Sequence, residues 1–282
     1  MTNSPKNPKA AQKKFRLQLF RTFLDNLGLG SALAFVAGIV NSVGFIAFGG
    51  FVSHVSGNAT RAAVEYSEGK IVVAYVFLAA AVFFILGSVF TTILLGGHSI
   101  ESQKVTFAWP VFIEAIIISF VGVLGTLSGR EFFPIHNSYD SLYVHCLTFA
   151  MGMQNAILRQ ASGVVVRTTH MTGVATDIGI AIGSAVCKFF QDFFFLRKAR
   201  IKNFRSAGFF GFLSTETSSL FNHFKLERFF LHFTVFCSFL FGCVVGACGY
   251  LQFSFNVLVC PVSILFVIGY QELHAFRKRK TA

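Results

Sequence analysis

Residues 71–97 hold no Asp, Glu, Lys or Arg, and neither do 229–250 or 253–270. A helix needs about twenty consecutive apolar residues to cross a bilayer, and these runs are near or above that length. Inside hydrocarbon a chain must satisfy its own backbone N–H and C=O groups, which helices do and open sheets do not. Only 13% of the 282 residues are charged and 54% are hydrophobic, whereas about a quarter of an ordinary soluble chain is charged. The chain therefore reads as an all-α, polytopic helical membrane protein.

Charge then orients it. The net charge of +12 would suggest nucleic acid in a soluble chain, but seventeen of the 24 Lys and Arg residues lie in three non-spanning segments. Six fall in the arm 1–26, seven in 197–228, and four form the tail Arg277-Lys278-Arg279-Lys280. Basic segments stay cytoplasmic, and facing anionic lipid is their ordinary use. No nucleic-acid partner is expected. Six spans fit this map, at about 27–51, 71–95, 107–127, 142–158, 229–250 and 253–270. Both termini are then cytoplasmic, with a basic cytoplasmic loop at 197–228 and an extracytoplasmic loop at 129–141. The apolar run from Leu27 reads as a start anchor, not a cleaved signal. Residues 174–196 strain the count: a full crossing there would put the basic loop outside, so a partly inserted or interfacial helix is preferred and a seventh span is the alternative.

A short motif occurs twice. Ser53-His54-Val55-Ser56-Gly57-Asn58-Ala59-Thr60 answers Thr169-His170-Met171-Thr172-Gly173-Val174-Ala175-Thr176. Upstream, Leu33, Phe35, Gly38 and Asn41 answer Leu147, Phe149, Gly152 and Asn155. One unit has been copied, giving membrane repeats at 27–128 and 142–272 and a basic tail at 273–282. Three crossings per repeat is odd, so the second copy is expected upside down relative to the first, as in many transporters. Small residues at Gly30, Ala34, Gly38 and Ser42, and again at Gly242 and Gly246, are expected to let helices approach closely.

The polar residues within this apolar frame are the candidate site. Asn41 and Asn155 are amides deep in matching spans, and each needs a helix or a ligand as partner. His54 and His170 could relay protons or bond to a broken helix end; no Cys or carboxylate stands at ligand spacing to complete a zinc site. The hydroxyls around Gly57 and Gly173 suggest capped helix starts, whose N–H groups suit an anionic or polar solute. Arg61 and Asp177 hold matching places, either pairing as a gate or facing water at opposite surfaces. Glu114 is the lone acid well inside a span, where charge is costly and commonly functional. It reads as a coupling carboxylate or as a protonated structural group. The six cysteines form no C-x-x-C pair and read as packing residues. No metal or cofactor is expected.

The stretches GIVNSVGF at 38–45 and FVSHVSGNATR at 51–61, with MGMQNA at 151–156 and VRTTHMTG at 166–173, resemble the two signatures of the YoaK-like family of integral membrane proteins, whose domain has no assigned function. The resemblance runs from about 33 to 270. It implies a multi-pass protein of a bacterial-type cytoplasmic membrane and supplies no substrate. A secondary transporter or permease for a small polar or anionic solute is the leading expectation, since no P-loop for ATP is present. The alternative is a non-transporting scaffold or regulator acting through the basic loop. An enzyme is not expected, because neither G-x-S-x-G nor H-E-x-x-H occurs. The partners expected are the bilayer and a small solute, with a homo-oligomer compatible.

Overall fold

A computed structural model describes residues 8–96, 106–127, 138–162, 171–200 and 226–281. The described residues are mostly helical and form α1 (Pro8–Phe48), α2 (Val55–Ser67), α3 (Ile71–Leu94), α4 (Ala108–Leu127), α5 (Ser138–Ser162), α6 (Met171–Arg200), α7 (Leu226–Phe253) and α8 (Val259–Thr281). A 3₁₀ turn, Ser254–Leu258, joins the last two. Ser254 breaks α7 by taking a φ of 52°, a left-handed conformation that a helix cannot continue through. Among the described residues, four segments are long and apolar enough to cross a membrane: Leu27–Phe48, Ile71–Leu94, Ala108–Leu127 and Phe229–Lys280. The last contains both α7 and α8.

The chain divides into two compact units, Met1–His170 with Cys237–Ala282, and Met171–Phe236. In the first, α1 and α5 form the centre. Leu33, Ala34, Val36, Ala37, Ile39 and Val40 of α1 are all fully buried, a run that covers every side of the helix. Residues 150–155 of α5 are likewise buried without a break. This explains why α5 is absent from the apolar candidates. Enclosed by protein, it can carry His145, Thr148, Gln154 and Asn155 without presenting them to lipid. The outer helix α3 shows the converse, with Val72, Tyr75, Val82, Ile85 and Ile93 turned outward.

Contacts fix the helix directions. Phe35 lies against Gly242 and Ile39 against Gly246, so α1 and α7 run the same way. Val76 meets His145, Phe84 meets Gly152 and Thr92 meets Gln160, so α3 and α5 do too. Leu33 with Gln154 and Phe48 with Tyr143 make α1 and α5 antiparallel. Thr106 with Glu272, Phe112 with Gly269 and Gly122 with Leu258 make α4 and α8 antiparallel. Phe255 marks the end where α1 and α4 finish: its ring lies 5.9 Å from that of Phe48 and covers Gly125.

Four Phe-x-x-Gly segments make the tightest contacts. A Cβ on Gly38 would overlap the Phe239 carbonyl and one on Gly242 the Phe35 carbonyl. Likewise Gly152 abuts the Phe84 carbonyl and Gly87 the Phe149 carbonyl. Each glycine thus lets its helix reach the backbone of the next. Ser88 Oγ adds a 2.9 Å hydrogen bond to the Gly152 carbonyl.

The second unit comprises α6 and the start of α7, with Val174, Leu231 and Val235 buried. Its helix α6 is continuous from Met171 to Arg200. Among the described residues, Gly179 and Gly183 have no neighbour within 4 Å of a would-be Cβ.

Candidate functional site

The first motif is built where α1 stops. Gly49 turns the chain with a φ of 67°, which glycine adopts without steric cost. The segment then folds back over the end of α1, with Val52 fully buried beneath Gly44. Asn41 holds this return: its Oδ1 accepts from Ser53 Oγ at 2.8 Å and from Ser53 N at 3.2 Å. Asn58, 1% exposed, donates from Nδ2 to the Phe51 carbonyl at 2.5 Å. Arg61 donates to the Gly49 carbonyl at the C-terminal end of α1, where a cation complements the helix dipole. Its guanidinium also lies 4.8 Å above the Phe77 ring and 3.4 Å from Glu65.

His54 occupies the N-cap of α2, yet its side chain makes no capping bond. The hydroxyls of two neighbouring residues are engaged elsewhere. Ser53 serves Asn41, and Thr60 bonds back to the Ser56 carbonyl at 3.1 Å. The first-turn N–H groups of α2 are therefore left without a side-chain cap, beside an exposed imidazole. Gly57 is required by that imidazole: its would-be Cβ lies 3.2 Å from His54 Nε2 and 3.2 Å from Phe51 Cδ2. The ring folds over the first turn and stands edge-on to Phe51, centroids 5.6 Å apart. This is a physical reason for the His-x-x-Gly spacing. The α2–α3 turn beyond is charged, with Lys70 2.6 Å from Glu68 and 3.6 Å from Glu65. That hydrogen bond and its charge hold the exposed Glu68 carboxyl below the usual range.

The second motif opens α6. Thr176 bonds back to the Thr172 carbonyl at 2.8 Å, matching Thr60 on Ser56. Gly173 sits in the first turn, and Val174 fills the place of Asn58, both buried. Asp177 lies 3.4 Å from His232 Nε2 on α7, as its counterpart Arg61 stacks on Phe77 of α3. Asn155 donates from Nδ2 to the Met151 carbonyl at 2.9 Å. His170, residues 129–137 of the expected extracytoplasmic loop and most of 197–228 lie outside the described residues. Glu114 is fully buried on α4, with no hydrogen-bond partner for either oxygen among the described residues. Among those residues no three His, Cys, Asp or Glu side chains cluster as metal ligands.

Sequence reading had not singled out Ser53, Asn58 or Gln154's bond to the Leu33 carbonyl as the ties that hold this region. Asn58 carries a signal in retrospect: it stands in the motif at the one internal position where the copies differ in polarity.

The model of the family described as Protein of unknown function (DUF1275) matches residues 29–270. A UPF0700 transmembrane protein of Rhizobium meliloti (strain 1021) is 27% identical over 172 residues, covering 61% of this chain and 68% of its own. No solved structure matches.

Proposed function

The chain belongs to the DUF1275 family of integral membrane proteins of unknown function, and we propose that this member is a secondary transporter or permease for a small polar or anionic solute. The observation that carries the reading is the exchange of partners among the long helices. A shift of 114 residues takes Phe35, Gly38 and Asn41 onto Phe149, Gly152 and Asn155, and one of 155 residues takes Phe84 and Gly87 onto Phe239 and Gly242. Together these shifts convert the α1–α7 contact into the α5–α3 contact. That α1 opposes α5 and α4 opposes α8 supports a relation between the halves that inverts them. Secondary transporters are commonly built from such inverted repeats, with solute sites near broken helices at the repeat interface.

In this reading α5 is a crossing and Phe229–Lys280 supplies two, which gives six. The termini are cytoplasmic in a bacterial-type cytoplasmic membrane, and α6 is partly inserted. The proposed solute contacts are Asn41, His54, Gly57 and Asn155, with Arg61 as a gating residue, and in the second motif His170 and Gly173, with Asp177 as its gating residue. The uncapped start of α2 supports a preference for polar or anionic groups. No cofactor and no catalytic step enter.

Uptake into proteoliposomes from an unbiased panel of small polar and anionic solutes tests this. The wild type should move at least one solute, and His54→Ala should slow it. If none of the panel is moved or bound by folded protein, the transport reading falls.

A further inference from the structure

We infer that Glu114 is a proton-binding site, loaded while α4 and α8 are packed and emptied when they part, so that the proton is the coupling ion. This rests on the transport reading and names its energy source. Glu114 is 0% exposed, and neither carboxyl oxygen has a partner among the described residues. It lies on α4 between the Phe112–Gly269 and Gly122–Leu258 contacts with α8, along the seam between the last helices of the two halves.

The second observation is what occupies the same place in the other half. Trp109-Pro110-Val111-Phe112-Ile113-Glu114 aligns with Cys260-Pro261-Val262-Ser263-Ile264-Leu265. Burial follows the alignment along the stripe that holds Glu114, where Pro110, Glu114 and Ile118 are buried, as are Pro261, Leu265 and Gly269; beside it Trp109 and Ile116 are exposed, as are Cys260 and Val267, whereas buried Ala115 answers exposed Phe266. Leu265 is 0% exposed. The packing at this position is thus satisfied by leucine in one half, and a carboxyl in the other adds nothing to it. A buried polar group without a partner lowers stability, so its presence calls for a chemical role.

The surroundings select the ion. A bound metal cation needs several oxygen ligands, and Glu114's neighbours on its own buried face are Val111, Ala115 and Ile118. A proton needs only the carboxyl. The ionisable groups on the elements packed against α4 are otherwise placed. His145 of α5 stacks on Phe83 and meets the Val76 carbonyl, and Tyr143 stacks on Phe48. Cys146 of α5 is half-buried, and Cys260 of α8 and Tyr75 of α3 face outward. Glu272 of α8 is held by Arg279 at 2.7 Å and by Thr106 at 3.3 Å. None of these pairs with Glu114, so an ionised carboxylate would stand uncompensated in the packed state.

Infrared difference spectra of the full chain in proteoliposomes, with Glu114→Gln and Glu114→Leu as references, test the site without any solute. The wild type should show the carbonyl band of a protonated acid at neutral pH, lost in both variants. Glu114→Leu should fold with a Tm at or above wild type. Absence of the band, or a Tm below wild type in both variants, overturns the inference. With a trapped pH-sensitive dye, transported solute should carry protons in the wild type, while Glu114→Gln exchanges solute without proton movement. A Glu114→Gln protein that still carries protons overturns the coupling and leaves transport standing. A wild type that shows the band but moves no solute keeps the proton site and loses the transport reading.

Discussion

Substituting Gly152 by alanine puts the α3–α5 contact under a defined load. The new Cβ would lie 3.0 Å from Phe84 Cα and closer still to its carbonyl oxygen. Carbon atoms attract best at about 3.5–4.0 Å, so the helices must part by roughly 0.5–1 Å, which forfeits about a quarter to a half of the attraction along the contact. The Ser88 bond to the Gly152 carbonyl stretches with it. Inserting a methyl into a packed interface costs about 1–3 kcal/mol, and in a chain of this size each kcal/mol lowers Tm by roughly 2–4 °C. Heating in mild detergent, followed by size-exclusion chromatography of the surviving fraction, reads that shift. Gly38→Ala, Gly87→Ala and Gly242→Ala should cost similar amounts, because each meets a facing carbonyl in the same way. Gly179→Ala and Gly183→Ala, with nothing within 4 Å among the described residues, should leave Tm within experimental scatter. A folded Gly152→Ala protein that melts with the wild type would refute the close approach. Losses confined to one of the two helix pairs would refute their equivalence.

The His54–Gly57 stacking predicts a coupled pair. Gly57→Ala should lower stability by about 1–2 kcal/mol alone and by much less in a His54→Ala background, a coupling read by a double-mutant cycle; equal costs in both backgrounds would show that the imidazole does not rest on the glycine. Arg61→Met removes the bond to the Gly49 carbonyl and the stacking on Phe77, a loss of about 2 kcal/mol. Arg61→Lys should recover only part of it, since a lysine keeps the charge but not the planar fork; full recovery in the same melting assay would leave charge alone as the cause.

The outer helices were legible in the sequence because lipid imposes apolarity on them. The expected spans 71–95 and 107–127 agree with α3 and α4 to within a residue. The centre was less legible. Expected at 142–158, α5 runs from Ser138 to Ser162, because burial in protein lets polar residues extend the helix past its apolar stretch. The closeness of Gly242 and Gly246 to a neighbour was readable from their spacing, but the identity of that neighbour, α1, was not. Partner choice between helices far apart in sequence depends on shape matching that no local pattern records. The duplicated motif announced a polar turn, but Thr60 and Thr176, expected as caps, bond back to the carbonyls four residues earlier, and the tie of Asn41 to Ser53 spans twelve residues that no local pattern links.

The partner exchange also constrains how the protein is made. Residues 27–127 emerge from the ribosome first, but the principal contacts of α1 lie on α5, α7 and α8, and those of α4 lie on α5 and α8. During synthesis the early helices therefore wait in the bilayer with the glycine faces at Gly38 and Gly87 unoccupied. The least apolar of the long inner helices, α5, then has to enter beside them. Its polar side chains are sheltered only once α1 and α3 receive it, so insertion of the second half and folding of the first are a single event. Truncation after α4 should leave a fragment held by the quality-control proteases, not a half-sized stable domain.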